Sequence, residues 1–219
     1  MTMPETPANR AGYAGPATSA DVSDACDDLG VTAVRTGSLR PMWRGCPAVA
    51  GPVATLALRP AANLGEDPLP AILRAMAGMS GCLVLIDLEG RTDQQCWGGV
   101  LTASAQRFGI AGALVNGAVR DVQGIADRAL PVFARAVHPA RIRGRLRLAG
   151  HGADVTIDGA VVHAGDIAVA DADGAVFLPF ADLPRVARRA AERAAIEQQT
   201  LARLAEGADP RDLFPGPER

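Results

Sequence analysis

Residues 115–121 read VNGAVRD and end in an adjacent arginine and aspartate, Arg120 and Asp121. A guanidinium can grip a carboxylate through two parallel hydrogen bonds, and a carboxylate can hold a hard cation such as Mg2+. Side by side, the two could bind a 2-oxo acid through its carboxylate and its carbonyl oxygen. The plainer reading is that Asp121 caps a helix and Arg120 makes a surface ion pair. The dipeptide alone leaves both open, so the elements that carry it must decide. A strand ending at Val115 would deliver Asn116 and Gly117 to the carboxyl end of a parallel sheet, where open α/β folds place their ligands. Arg120 and Asp121 would then open the next helix, within reach of that crevice.

The flanking pattern supports such a sheet. CLVLID (82–87) is a continuous apolar run of strand length, suited to a strand covered on both faces. A loop (LEGRTDQQCW), a helix over 99–108, a strand at AGALV and a short helix from Asp121 follow, which is the order of a parallel βαβ unit. Upstream, TSADVSDACDDLGV has an N-cap at Thr18 or Ser19 and Gly30 as its stop, predicting a helix at 18–29. AVAGPVATLAL (48–58) reads as a strand interrupted by Gly51-Pro52, and PLPAILRAMAG as a helix. From PVFAR onward, short β segments separated by Asp158-Gly159, Gly165-Asp166 and Asp173-Gly174 predict a meander or small barrel. The expected organisation is a tail over 1–16, one α/β domain over 17–180, a C-terminal helix over 181–206 rich in Ala, Arg and Glu, and a mobile Pro/Gly-rich tail over 207–219.

Composition narrows the chemistry. The 219 residues can bury a core without metal or disulfide staples. A formal net charge of −2 supplies no overall pull toward nucleic acid or anionic membrane, so a small-molecule partner is expected. No apolar run long enough to span a bilayer occurs, and the first residues lack the pattern of a signal peptide, which points to a cytoplasmic protein. All basic side chains other than histidine are arginine, and there is no lysine. That excludes a lysine Schiff base, a pyridoxal-phosphate lysine and a Walker A lysine. Cys26, Cys46, Cys82 and Cys96 are scattered with no CxxC pair and read as buried free thiols.

Other polar residues carry weaker signals. His138 in AVHPAR could lie near the crevice and act as an acid or base, or be structural. His151 and His163 read as surface residues, because no second ligand stands at a zinc spacing. RIRGRLR (141–147) alternates arginine with small or apolar residues, which suits a basic strand facing an anionic ligand or RNA, or, with no aromatic residues interleaved to stack bases, an exposed strand face or subunit contact. Asp166, Asp171 and Asp173 lack the closing Glu of a calcium loop and read as turn residues.

The longer pattern adds a resemblance. SDACDDLGV, LRPMWRGCPAVAGPVAT, CLVLID, WGGVLTASAQRFGIAGALVNGAVRDVQGI, LPVFARAVHPAR and VHAGDIAVADADGAVFLP occur in the order of the RraA-like family, which includes 4-hydroxy-4-methyl-2-oxoglutarate aldolases that also decarboxylate oxaloacetate. The resemblance covers most of the chain. It implies a swivelling β/β/α-type fold and a homotrimer or hexamer with active sites between subunits. It also implies cleavage of a carbon–carbon bond with Mg2+ or Mn2+, release of pyruvate, and no organic cofactor. By that resemblance Arg120 binds the substrate carboxylate, Asp121 holds the metal, and Gly98, Gly99, Val100 and Leu101 contact substrate through their backbone. The missing lysine fits independently: an enolate is stabilised as an enamine or by a metal, and only the second route remains without an external amine.

One departure qualifies the activity. The family's aldolases carry an acid twenty intervening residues before the Arg-Asp pair, and that position here is Gly99. A second family acid a few residues after the pair is also absent, with Gln123 and Gly124 there and Asp127 later. The leading expectation is a metal-dependent lyase acting on a small oxo acid. The alternatives are a family member repurposed for another enolate reaction in a specialised biosynthetic pathway, or a non-catalytic regulator of ribonuclease activity.

Overall fold

The computed structural model describes residues 17–214. The expected tail over 1–16 and residues 215–219 lie outside that range. In chain order the elements are α1 (Ser19–Asp28), β1 (Val34–Thr36), β2 (Arg40–Pro41), β3 (Val49–Pro60), α2 (Leu69–Met76), β4 (Leu83–Asp87), β5 (Gln95–Trp97), α3 (Gly99–Arg107), β6 (Gly112–Val119), α4 (Val122–Ala126), β7 (Val132–Val137), β8 (Leu146–His151), β9 (Val155–Ile157), β10 (Ala160–Val162), β11 (Ile167–Asp171), β12 (Gly174–Leu178), α5 (Leu183–Ala205) and α6 (Pro210–Leu213).

Ten strands form one sheet in the order β1-β12-β11-β3-β4-β6-β7-β2, with β5 added beside β6 and β8 beside β3. The βαβ reading is correct at its centre: β3, β4, β6 and β7 run parallel, and β5 runs parallel to β6. Every residue of β4 and β6 is buried, which is why their sequences are apolar without alternation. One face packs against α2, α3 and α4 around Ile72, Met76, Val115 and Leu101. The opposite face holds Leu85, Leu114 and Phe133 beneath the β9–β10 ribbon. A third cluster seats α1 and α5 on β11 and β12. The result is a mixed α/β fold with a C-terminal helix, as the resemblance implies.

Several expectations are corrected. β6 does not end at Val115 but runs to Val119, because a bulge between Val115 and Ala118 lets it leave β4 and take β5 as its new neighbour. β5 itself falls in the expected loop; three residues give no periodicity to read. β3 passes through Gly51-Pro52 unbroken. Val53 N–H donates toward β11, to Asp166, so the missing donor of Pro52 faces the side where β4 pairing has not begun. Residues 141–145 form a turn, and only from Leu146 does RIRGRLR become strand. Gly144 has φ +71 and its N–H donates to the Glu66 carbonyl at 2.7 Å, a turn conformation in which a Cβ would stand 2.6 Å from the Leu64 carbonyl oxygen, so only glycine fits. The β segments after β7 are no separate barrel: β8, β11 and β12 join the main sheet and only β9 and β10 stand apart. The segment expected to be a tail from 207 carries the one-turn α6, capped by Asp209.

Candidate active site

β5 and β6 end side by side, with Trp97 opposite Val119 and the Arg120 N–H donating to the Trp97 carbonyl at 2.9 Å. The residues that follow each strand, Gly98 to Leu101 and Arg120-Asp121, are therefore neighbours. Thr102 pins the first of these segments. Its hydroxyl accepts the indole N–H of fully buried Trp97 at 2.9 Å and donates to the Gly98 carbonyl at 3.0 Å, which also accepts the Thr102 N–H. Gly98 is thereby held as the N-cap of α3.

Asp121 occupies the N-cap position of α4 but makes no capping hydrogen bond. Its backbone is left-handed, φ 59 and ψ 37, a conformation aspartate tolerates better than most residues. That geometry turns the carboxylate toward α3, where Oδ2 accepts the Gly99 N–H at 3.1 Å and lies 3.5 Å from Arg120 Nε. The capping reading thus holds for the position and fails for the side chain. The Arg120 and Asp121 side chains are 39% and 49% exposed, so a ligand can reach both. The Nη groups of Arg120 make no hydrogen bond to the described residues. The Val100 and Leu101 N–H groups are also uncommitted, as first-turn amides of a helix are, and they point a partial positive charge into the same space.

The two glycines differ. A Cβ at Gly98 would stand 2.9 Å from Asp121 Oδ2 and 3.2 Å from Arg120 Cγ, so this position must stay bare for the carboxylate to sit where it does. A Cβ at Gly99 would meet Asp121 Oδ2 at 3.6 Å, an ordinary contact. Close backbone approach explains Gly98; Gly99 leaves open room beside Asp121.

His138 comes to the same edge, its N–H donating to the Val119 carbonyl at 2.8 Å. Its Nδ1 accepts the Ala140 N–H at 3.2 Å. Asp127, at the C-cap of α4, accepts the Gln123 amide N–H at 2.8 Å. His151 is exposed, and His163 pairs with Asp154 at the surface, which raises its pKa. Asp171 and Asp166 take turn and docking roles: Asp171 accepts the Ser19 N–H and hydroxyl at 2.6 and 2.7 Å, and Asp166 accepts the His163 N–H at 2.8 Å. All four cysteines are free. Cys26, Cys82 and Cys96 are buried, and burial pushes the thiols up, so none is a ready nucleophile.

Sequence reasoning missed a second polar centre built on Asp87 and Asn116. Asp87 is 2% exposed and Asn116 1%, and the Asn116 amide donates to Asp87 Oδ1 at 2.7 Å. Their signal was a lone polar residue at the end of each of two apolar runs, LVLID and ALVN.

A profile of the RraA-like family (Aldolase/RraA) matches residues 19–177. Protein DlpA of Legionella pneumophila is 29% identical over 190 residues, covering 87% of this chain but only 31% of DlpA. A protein of Halalkalibacterium halodurans named "Putative 4-hydroxy-4-methyl-2-oxoglutarate aldolase" is 28% identical over 178 residues, covering 81% of this chain and 80% of its own. Among solved structures, Streptomyces coelicolor RraAS2, described as an unusual member of the RNase ES inhibitor RraA family, superimposes with a TM-score of 0.73 at 24% identity, over 85% of this chain and 93% of its own. The last likeness is one of fold. With the match of the family profile across the whole sheet and the Arg120-Asp121 edge, the chain belongs to the RraA-like family.

Proposed function

We propose that the protein is a divalent-metal-dependent lyase that breaks a carbon–carbon bond in a small 2-oxo acid, by aldol cleavage or decarboxylation. The observation that carries this reading is the Asp121 carboxylate, turned by a left-handed backbone onto the Gly99 N–H beside an accessible Arg120. Relatives named as aldolases support it.

The donor set suits Mg2+ or Mn2+. Among the described residues Asp121 Oδ1 has no partner, and no group of three or more His, Cys, Asp or Glu gathers as a metal cluster. Mg2+ retains most of its waters and needs only one or two carboxylates, so Asp121 is the residue that would hold it. A bound ion supplies Lewis-acid polarisation of the keto oxygen. The chain's residues do the remaining work. Arg120 pairs with the substrate carboxylate through its free Nη edge. The Val100 and Leu101 amides donate to substrate oxygens at the positive end of α3. Gly99 contributes no acid, and among the described residues no metal-ligating cluster forms around Asp121 to replace it.

The reading includes a cytoplasmic homotrimer or hexamer with the site at a subunit boundary, supported by the openness of Arg120 and Asp121 in the single chain. No helix among the described residues is long and apolar enough to cross a membrane.

Pyruvate release from oxaloacetate and from 4-hydroxy-4-methyl-2-oxoglutarate tests the proposal, with Mg2+ and with chelator. Turnover above the free-metal rate that disappears in Arg120→Ala supports it. No turnover in the native protein, on either substrate, rejects it. The bare Gly99 favours a second reading, a repurposed pocket or a regulator: activity gained only in Gly99→Asp identifies the former. Partner binding that survives Arg120→Ala and Asp121→Ala identifies the latter.

A further inference from the structure

The carboxyl edge of the parallel strands carries another built cavity, on the face opposite Arg120 and Asp121. Side chains alternate across β6: Val115 and Val119 face the helices, while Leu114, and with it Asn116, face the β9–β10 ribbon. Between that ribbon and the ends of β4, β6 and β7 lies a cleft of about 460 Å3, within the range of small-molecule sites.

Its walls are tied to one another. Asn116 donates to Asp87 and to the Thr156 carbonyl on β9, at 2.7 and 3.1 Å. Arg135 donates to Asn116 and to Asp158 at the tip of the ribbon. Arg59 closes the other end, on Asp87 at 2.8 Å and on Glu89 at 3.1 Å. Gly90 on the floor has φ +73, a left-handed backbone that favours glycine.

After these internal bonds, specific groups remain unused. Arg135 engages Nε and Nη2 but not Nη1, whose two N–H groups have no partner among the described residues. Glu89 uses Oε1 and Asp154 uses Oδ2, the latter on His163, which leaves one oxygen free on each. Two guanidiniums stand against four carboxylates in the lining, so a free anion is repelled overall while a cationic group is drawn in. No aromatic side chain lines the cleft to stack on a sugar face.

We propose that this cleft is a second binding site, for a small zwitterion bearing both an ammonium and a carboxylate, of the α-amino acid class. The carboxylate pairs with Arg135 Nη1, and the ammonium lies between Glu89 and Asp154. The site is independent of Arg120 and Asp121, and the proposal does not rest on the lyase reading.

Calorimetric titration of the full-length protein with each common α-amino acid, and with pyruvate and inorganic phosphate as controls, tests this. Saturable binding of at least one amino acid is expected, with neither control competing. Glu89→Gln and Asp154→Asn, both at exposed side chains, should each weaken it about tenfold, and Arg120→Ala should leave it unchanged. Arg135→Lys keeps a charge but not the fork and should also weaken it. No binding by any amino acid at millimolar concentration overturns the proposal, as does binding indifferent to both carboxylate variants or displaced by phosphate.

Discussion

Replacing Gly98 by alanine should disable the Arg120-Asp121 edge without unfolding the protein, while the same change at Gly99 should be tolerated. The Gly98 backbone is extended, φ −167 and ψ −165, so alanine can adopt it and the whole effect comes from the added methyl. That methyl would lie 2.9 Å from Asp121 Oδ2 and 3.2 Å from Arg120 Cγ, and the carboxylate must retreat by several tenths of an ångström. Retreat breaks the 3.1 Å bond from the Gly99 N–H. A hydrogen bond to a charged group contributes about 1.5–3 kcal/mol, and the half-exposed carboxylate belongs at the low end. At about 1.4 kcal/mol per factor of ten, Gly98→Ala should lower kcat/KM for pyruvate release about tenfold. Mn2+ affinity, read by electron paramagnetic resonance, should fall by a similar factor. Gly99→Ala places its methyl 3.6 Å from the same oxygen and should stay within about threefold of native by both readouts. Urea unfolding of both variants should shift by no more than about 1 kcal/mol. Full Mn2+ affinity in Gly98→Ala, or equal damage from the two alanines, would refute the assignment of the close approach to Gly98.

Three further outcomes follow from the same contacts. Thr102→Val removes the acceptor of the buried Trp97 indole and the donor to Gly98, and should cost about 1–3 kcal/mol in urea unfolding, with a loss of activity larger than Ser at the same position produces. Asp158 is held at about 2 by the hydrogen bond from Thr36, with Arg135 and Ser38 acting in the same direction. A depressed carboxylate stabilises the fold above its unfolded value of 3.8 and stops doing so as pH falls through its folded value, so stability should drop between about pH 4 and 2, and Asp158→Asn should flatten that limb. An aromatic disulfide reagent should label Cys46 in the native protein and reach Cys26, Cys82 and Cys96 only after denaturation; fast labelling of Cys96 would contradict its burial.

The central fold was legible because its strands are buried on both faces and its helices carry end signals. CLVLID and AGALV could only be interior strands, and Thr18 with Gly30 bracketed α1 nearly to the residue. What failed depends on contacts distant in sequence. β5 is a strand because β6 needs a neighbour after its bulge, and nothing in QCW announces this. Likewise RIRGRLR has the alternation of a strand, but its first half lies in a turn in which the Gly144 N–H donates to the distant Glu66 carbonyl. Local pattern fixes what a segment prefers, and the packing of remote segments decides whether it gets it.

The site divides along the same line. Arg120 and Asp121 were legible as chemistry, since their types alone specify a carboxylate grip and a cation ligand. Their geometry was not, because the carboxylate of Asp121 is aimed by a left-handed backbone and received by an amide of a different βα turn. The same separation accounts for Asp87 and Asn116. Each looks like the ragged end of an apolar run, and only the parallel register that sets Asp87 opposite Asn116 shows them to be one buried pair. A lone polar residue closing an apolar strand is therefore worth following to its partner. Burial of that kind is stable only when a second group answers it. In this chain the answering groups, Arg59 and Arg135, bring with them the charge that lines the second cleft.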